Sequence, residues 1–549
     1  MQKNKAKTTH NVPDDADIID IAIVGGGPGG VYTAWRLQQF YPYTKAQDSL
    51  FAHAAENKPL SITLIEGSDR IGGRLESLTP PGMPHMRAEF GGMGFSTNHV
   101  RVKGLVNYLG LPTEDFVTAT PNSIYFLRNT FYRNSQATDP SIVPYNLPPN
   151  ERGKTFDQIL VDAGLSVVPD MKTLTDEQWW ELMYSMEYQG RPMYEHGFWD
   201  IMLQEMSNEA YRFIEDSNGH MPFFGEWNAA ESFPWNFIDT RPGTQLKTIP
   251  IGYEQMITRL FDIFMANGGN VMMQTKLKTF YSIGSYTNPL MQLVFEDGSS
   301  LYARNLILAM PRRSLELIAA NLDNILAQPT VSQLIKSVRP IPHLKIFTAY
   351  DTPWWNQVGI TDGHSNTDLP LRTIYYIGTE SQHGGDPNNN NSLLMASYTD
   401  GRYLTFWEGV DQGPLFQGNP NPFVPSEPGS SYWYQQPITL AMKNEVQRQL
   451  KLVHQLEQIP DPYTAAWRDW SQDPFGGAWN TWNIGVKAPD VMQAILQPDL
   501  SEPLLIVGSA YSHWQGWVEG ALETAEMALQ QKYRLPPPPW GNHGVRSKK

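Results

Sequence analysis

Three glycines open the chemistry of this chain. Gly25, Gly27 and Gly30 form a Gly-x-Gly-x-x-Gly run, and in a nucleotide-binding loop each has its own task. The first permits a tight turn, the second lets the backbone approach a pyrophosphate, and the third lets a helix pack closely on a sheet. The phosphates then lie at the positive end of that helix. An acidic residue closing the next strand would hydrogen-bond the ribose hydroxyls, and Glu66 stands at that point. A glycine run alone is weak evidence, because such turns are common. With a strand before it, a helix after it and Glu66 beyond, a bound dinucleotide is the expectation. Lys345 also asks for a reason, because it sits in an otherwise apolar run, Leu344-Lys345-Ile346-Phe347-Thr348-Ala349-Tyr350. A buried unpaired ammonium is costly, so Lys345 is either functional or on an edge strand facing solvent.

The elements that must position these residues are legible in outline. Residues 18–24 are short, apolar and β-branched, as a buried parallel strand requires. A helical pattern follows through Val31, Ala34, Trp35 and Leu37, and residues 61–65 form a second strand ending at Glu66. This is a βαβ unit whose crossover carries an insertion around residues 41–59, which lengthens the interval from Gly30 to Glu66. Residues 305–311 and 504–508 read as returns to the same sheet, the second followed by a helix over about 516–531. Between them lie long helical patterns over 176–216, strand character at 344–350 and 392–398, and loops rich in Gly, Pro and Asn. The expected fold is α/β (α+β overall), a discontinuous Rossmann-like cofactor-binding domain with an inserted substrate-binding sheet lobe and a helical lobe. Its parts are placed at 18–110, 246–315 and 491–533, with a mainly helical lobe at 111–245, a substrate-binding domain at 316–490, and flexible termini at 1–17 and 534–549.

Two further blocks carry a family resemblance. Glu66-Gly67-Ser68-Asp69-Arg70-Ile71-Gly72-Gly73-Arg74 and Tyr511-Ser512-His513-Trp514-Gln515-Gly516-Trp517-Val518-Glu519-Gly520-Ala521 resemble segments of the flavin amine oxidases. The likeness runs over about 18–529 and is nearest to L-amino acid oxidases and amino acid monooxygenases. It implies FAD rather than a nicotinamide cofactor, since nicotinamide domains lack the second glycine turn at Gly73. It also implies that Arg74 offsets pyrophosphate charge, a role suited to a guanidinium. Gly508 and Ser509 would border the cofactor, and a helix starting near Val518 would aim free N–H groups at the flavin C2 carbonyl. Trp517 would form one wall of the substrate site, and the Gly516 carbonyl would accept a bond from the amine. Asp473-Pro474-Phe475-Gly476-Gly477-Ala478-Trp479-Asn480 resembles the segment that supplies the opposite wall, Trp479. A simple core aromatic is the competing reading of Trp479. Lys345 matches a lysine joined through a water to flavin N5, and Tyr398 a tyrosine that binds a substrate carboxylate.

The chain departs from the pattern in three places. Ala478 stands where monoamine oxidases carry the cysteine that attaches the flavin, so the FAD is expected to be non-covalent. Ser509 replaces an acid directed at the ribityl chain, and its hydroxyl can still hydrogen-bond there. Glu89-Phe90-Gly91-Gly92-Met93-Gly94 lacks the arginine that pairs with the substrate carboxylate in amino acid oxidases. Either another cation takes over, Arg87 and Arg101 being near in sequence, or the substrate is not a standard free α-amino acid.

Composition narrows the rest. The net charge is −15, with no Lys/Arg stripe, which argues against nucleic acid as a partner. The 549 residues include no cysteine, so disulfides, thiolate catalysis and cysteinyl flavin are excluded. The histidines show no ligand spacing, and no metal is expected. No run approaches the roughly 20 apolar residues of a spanning helix, and no apolar signal core follows the basic start. A soluble, cytoplasmic protein is the default, with non-classical secretion and a homo-oligomer left open. The implied reaction is oxidative deamination of an L-amino acid by hydride transfer to flavin N5. O2 would be reduced to H2O2 and the imine hydrolysed to a 2-oxo acid and ammonia. The alternatives are an oxidase of amines or modified amino acids, a decarboxylating monooxygenase, and a FAD-binding scaffold without activity.

Overall fold

Strand Ile18–Val24 lies at the heart of a seven-stranded sheet because both of its faces are covered. Ile21, Ala22 and Ile23 have no exposed surface. The computed structural model describes residues 17–40, 59–219, 225–283, 290–321, 324–424 and 432–541. The crossover insertion expected at 41–59 lies almost wholly outside these residues, as do the basic start and the tail beyond 541. Ile18–Val24 pairs in parallel with Ile62–Ile65 on one side and Ser300–Leu308 on the other, and Asn270–Met272 extends the sheet beyond Ile62–Ile65. The other end turns antiparallel through Met291–Phe295 and Leu277–Ser282. Strand Ser300–Leu308 divides its far edge between two partners. Its first half pairs with Met291–Phe295 and its second half with Leu504–Ile506, which arrives from nearly two hundred residues later.

Helix Pro28–Phe40 leaves this sheet directly after the glycine turn. Close approach explains the glycines. Gly25 has φ +114, and a Cβ there would stand 2.2 Å from the Ala309 carbonyl oxygen, while one at Gly30 would stand 1.9 Å from that of Gly25. Helix Val518–Gln531 packs beside Pro28–Phe40, and the buried pair Arg36–Glu526 joins them at 2.8 Å. The chain beyond the second helix was expected to be frayed from 534. Through 541 it is instead packed. Leu535 is buried, the Arg36 guanidinium donates to the Pro536 carbonyl at 2.6 Å, and Trp540 stacks on Trp35 with ring centres 6.2 Å apart. Two large rings bury more surface than a polar tail can, and that outweighs the entropy of fixing the chain.

A second seven-stranded sheet runs in the order Thr464–Asp469, His343–Tyr350, Ser392–Asp400, Thr373–Thr379, His364–Thr367, Ile124–Leu127, Thr130–Arg133. All eight residues of His343–Tyr350 are buried between two neighbours, so Lys345 is not on an edge. The helical lobe contains Phe156–Val167, Asp176–Ser185, Phe198–Glu205, Asn208–Asn218 and Ala229–Phe237, around a core that includes Trp179, Phe198, Ile214 and Phe233. Thr155 and Thr175 start the first two with reciprocal capping bonds to Gln158 and Gln178. The helical pattern over 176–216 is broken into three helices. A tight hairpin with positive φ at Gln189 and Gly190, followed by Pro192, turns the chain between the first two. No described helix is long and apolar enough to cross a membrane.

Candidate active site

A cavity of about 1850 Å³ runs from the glycine turn of the first sheet to the gap between the second sheet and the helical lobe. This exceeds the roughly 300–1,000 Å³ of an ordinary small-molecule pocket, so there is room for a dinucleotide and a second ligand together. Gly25, Gly27, Glu66, Gly73, Arg74, Gly508, Ser509 and Val518 all line it; Gly30 lies behind, at the helix–sheet contact. The Gly27 and Gly73 turns face each other so closely that a Cβ on Gly73 would stand 3.1 Å from the Gly27 Cα. Glu66 is held in place by its own surroundings, accepting from the Gly26 amide at 2.7 Å and the Ser68 amide at 2.8 Å.

Arg74 is the decisive group on this side. Its guanidinium donates to the Ala478 carbonyl at 2.6 Å and reaches the Ser509 hydroxyl at 3.4 Å. No carboxylate among the described residues forms an ion pair with it, and burial pulls it down to about 10. A desolvated cation with only neutral partners fits an anion beside it. Two helix ends reinforce the fit. Pro28–Phe40 has no acid in its first turn. In Val518–Gln531 the one first-turn acid, Glu519, is occupied by Arg101 at 3.0 Å and caps the amides of Arg101 and Val102. The residues present therefore suit a pyrophosphate flanked by glycine turns and an electron-rich ring at Val518. Sequence reasoning missed Arg70, which braces the second turn from behind by donating to the carbonyls of Gly73 (2.5 Å) and Leu75 (2.9 Å).

The far end of the cavity is aromatic. Trp479 and Trp517 both line it, and Gly516 packs against Trp479 so tightly that a Cβ would stand 2.7 Å from the indole. Trp479 is therefore not a simple core residue. Trp235, also missed, lines the same space from helix Ala229–Phe237. A tryptophan two residues from the end of an unremarkable helix carries no local signal of this position.

Lys345 reaches the cavity through a perch of backbone carbonyls, donating to Gly91 O at 2.6 Å and Glu89 O at 2.9 Å. Its Nζ lies 4.7 Å above the Tyr398 ring, which packs on His343 at 4.3 Å. Burial pushes the Lys345 ammonium well below the ordinary lysine value, against the pull of the Glu89 carboxylate, and the same burial pushes Glu89 up. Gly94 lies beside this perch. A Cβ there would stand 2.7 Å from the Lys247 carbonyl oxygen, so strand Leu246–Thr248, paired antiparallel with Phe95–Ser96, leaves no room for an arginine. Neither nearby cation replaces it. Arg101 is buried against Glu519, and Arg87 donates to the carbonyls of Pro84 and Met86; both are absent from the cavity wall.

A dinucleotide cradle that opens onto an aromatic pocket with a buried lysine defines a flavoenzyme of the amine-oxidising class. The model of the flavin containing amine oxidoreductases matches residues 29–418, and the chain belongs to that family. It is an oxidoreductase with FAD as cofactor. Aplysianin-A of Aplysia kurodai is 26% identical over 94% of this chain and 91% of its own length. The L-amino acid oxidase bordonein-L of Crotalus durissus terrificus is 23% identical over 64% and 63%. A putrescine oxidase solved with putrescine bound superposes with a TM-score of 0.64 at 15% identity, covering 94% of this chain and 100% of that one; this likeness shows the fold.

Proposed function

We propose that the protein oxidises a primary amine that carries a second positive charge and needs no carboxylate. The observation that carries this reading is the close backbone approach at Gly94, which leaves no room for an arginine side chain there. Arg70 and Arg468 flank Glu76 at 3.4 and 3.7 Å, and Arg74 belongs to the cofactor side. Asp157, Asp239 and Asp400 line the helical and second-sheet side of the same cavity, where they favour a cation.

Trp479 and Trp517 would flank the amine and orient its carbon. Their apolar faces favour the neutral nitrogen, whose lone pair must support loss of hydride. Gly25, Gly27, Glu66, Gly73, Arg74 and Val518 would hold FAD, which when bound would supply the two-electron oxidation of the amine, with O2 as the final acceptor and H2O2 as its product. Water hydrolyses the imine to a carbonyl compound and ammonia. Lys345 keeps a proton at Nζ, fixed in direction by two carbonyls, beside the place where oxygen is reduced. Ala478 leaves no side chain for a covalent flavin link, so FAD is held non-covalently.

A second reading, an L-amino acid oxidase, draws on Tyr398 lining the cavity and on the name of the bordonein-L relative. Four substrates separate the two: cadaverine, L-lysine, n-pentylamine and L-norleucine. Peroxide release and anaerobic flavin bleaching should favour cadaverine over n-pentylamine by roughly tenfold in kcat/KM, the equivalent of about 1.4 kcal/mol. L-lysine should gain nothing over cadaverine. If L-lysine and L-norleucine both surpass the diamine, the carboxylate is recognised and the amino acid reading replaces ours. An amide product one carbon shorter would identify a monooxygenase.

A further inference from the structure

Trp235 joins Trp479 and Trp517 as a third indole at the far end of the cavity. Its ring centre lies 5.7 Å from Trp479, tilted by 17°, and 6.0 Å from Trp517, tilted by 34°. All three rings face the cavity. Trp235 has little freedom to leave. Its Nε1 donates to the Gln515 carbonyl at 2.9 Å, and the buried ring of Trp227 backs Trp235 and Trp479 edge-on, at 5.3 and 5.5 Å. One helical turn earlier, Glu231 accepts from the Tyr184 hydroxyl and lies 3.1 Å from His513 Nδ1. Trp180 stacks on the His513 ring at 4.3 Å. Residues four apart share a helix face, so this face is tied to the 513–517 segment at both ends of a turn. The segment that supplies Gly516 and Trp517 is thereby locked to the helix that supplies Trp235.

We infer that Trp235 is a specificity-determining third wall of the amine pocket, stacked on Trp479 and packed against Trp517 so that it admits an amine-bearing CH2 beside these rings and excludes a second substituent on that carbon. The inference rests on the reading that an amine binds between those rings. It deepens that reading by naming the substrate class as unbranched at the reacting carbon. A carboxylate on that carbon would be such a substituent, so Trp235 and the close backbone approach at Gly94 act in the same direction.

The test uses the FAD-loaded protein and a ligand that cannot react. tert-Butylamine has no hydrogen on its amine carbon, so its binding can be read from the flavin absorbance and tryptophan fluorescence without turnover. Trp235→Ala should bind it about tenfold more tightly than the unmodified protein, and Trp235→Leu should lie between, as expected for added room of one or two methylenes. In parallel, the kcat/KM ratio of sec-butylamine to n-butylamine should rise about tenfold in Trp235→Ala. An unchanged Kd and an unchanged ratio, in variants that keep the flavin spectrum, overturn the proposal. Should Trp235→Ala lose its flavin, Trp235→Leu decides by the same measurements. If no amine bleaches the flavin in any form, the oxidase reading fails, and the tert-butylamine affinities still decide whether Trp235 is a wall.

Discussion

Lys345 and Gly94 depend on one another, because the backbone of residues 89–94 both holds the lysine and leaves no space for an arginine. Replacing Lys345 with Met should slow the reaction of the reduced enzyme with O2 by about 100-fold, the scale seen when one preorganised donor is removed. Reduction of the flavin by amine should change little, and stopped-flow traces of the two half-reactions separate these outcomes. The same variant tests the cost of burial. The folded protein holds Lys345 below its ordinary value of 10.5, so over the interval between the two values the unfolded chain binds more protons. The penalty of burying the ammonium therefore fades as pH rises toward 10.5. Lys345→Met should melt above the unmodified protein at neutral pH, with the gap narrowing toward pH 10.5. Gly94→Arg should not create an amino acid oxidase. Overpacking against the Lys247 carbonyl should cost about 1–3 kcal/mol, read as a lower Tm, with no gain in activity on L-norleucine.

At the scale of elements, what could be read from sequence and what could not divide along physical lines. Strand Ile18–Val24, its glycine turn and helix Pro28–Phe40 are adjacent in the chain, and local patterns specify them. The strand around Lys345 was legible for the same reason, whereas its interior place in the sheet was not, because the covering strand Thr464–Asp469 lies more than a hundred residues away. Trp235 was illegible because its partner, the Gln515 carbonyl, is 280 positions distant. The packed tail escaped notice because a proline run gives no hint of the Trp35 ring that receives Trp540. That contact is testable. Trp540→Ala should cost about 1–2 kcal/mol, less than a fully buried tryptophan since the residue is only partly buried. Thermal unfolding should show the loss, and the flavin should dissociate at lower temperature because the stabilised helix Pro28–Phe40 begins at the Gly27 turn.

The whole molecule holds its cofactor between parts drawn from the length of the chain. Arg74 comes from the first hundred residues, and Ala478, Ser509 and Val518 come from the last. With no cysteine anywhere and alanine at 478, acid precipitation should release all the flavin into the supernatant, and colour left in the pellet would contradict non-covalent binding. The divided edge of strand Ser300–Leu308 carries a consequence for biosynthesis. Half of that edge waits for Leu504–Ile506, and helix Val518–Gln531 emerges later still. A ribosome carrying the first five hundred residues thus holds an incomplete receptacle, and loading with FAD must wait for residues 504–531. A chain ended after residue 497 should purify colourless even in excess flavin, and restoring residues 498–541 should return the yellow.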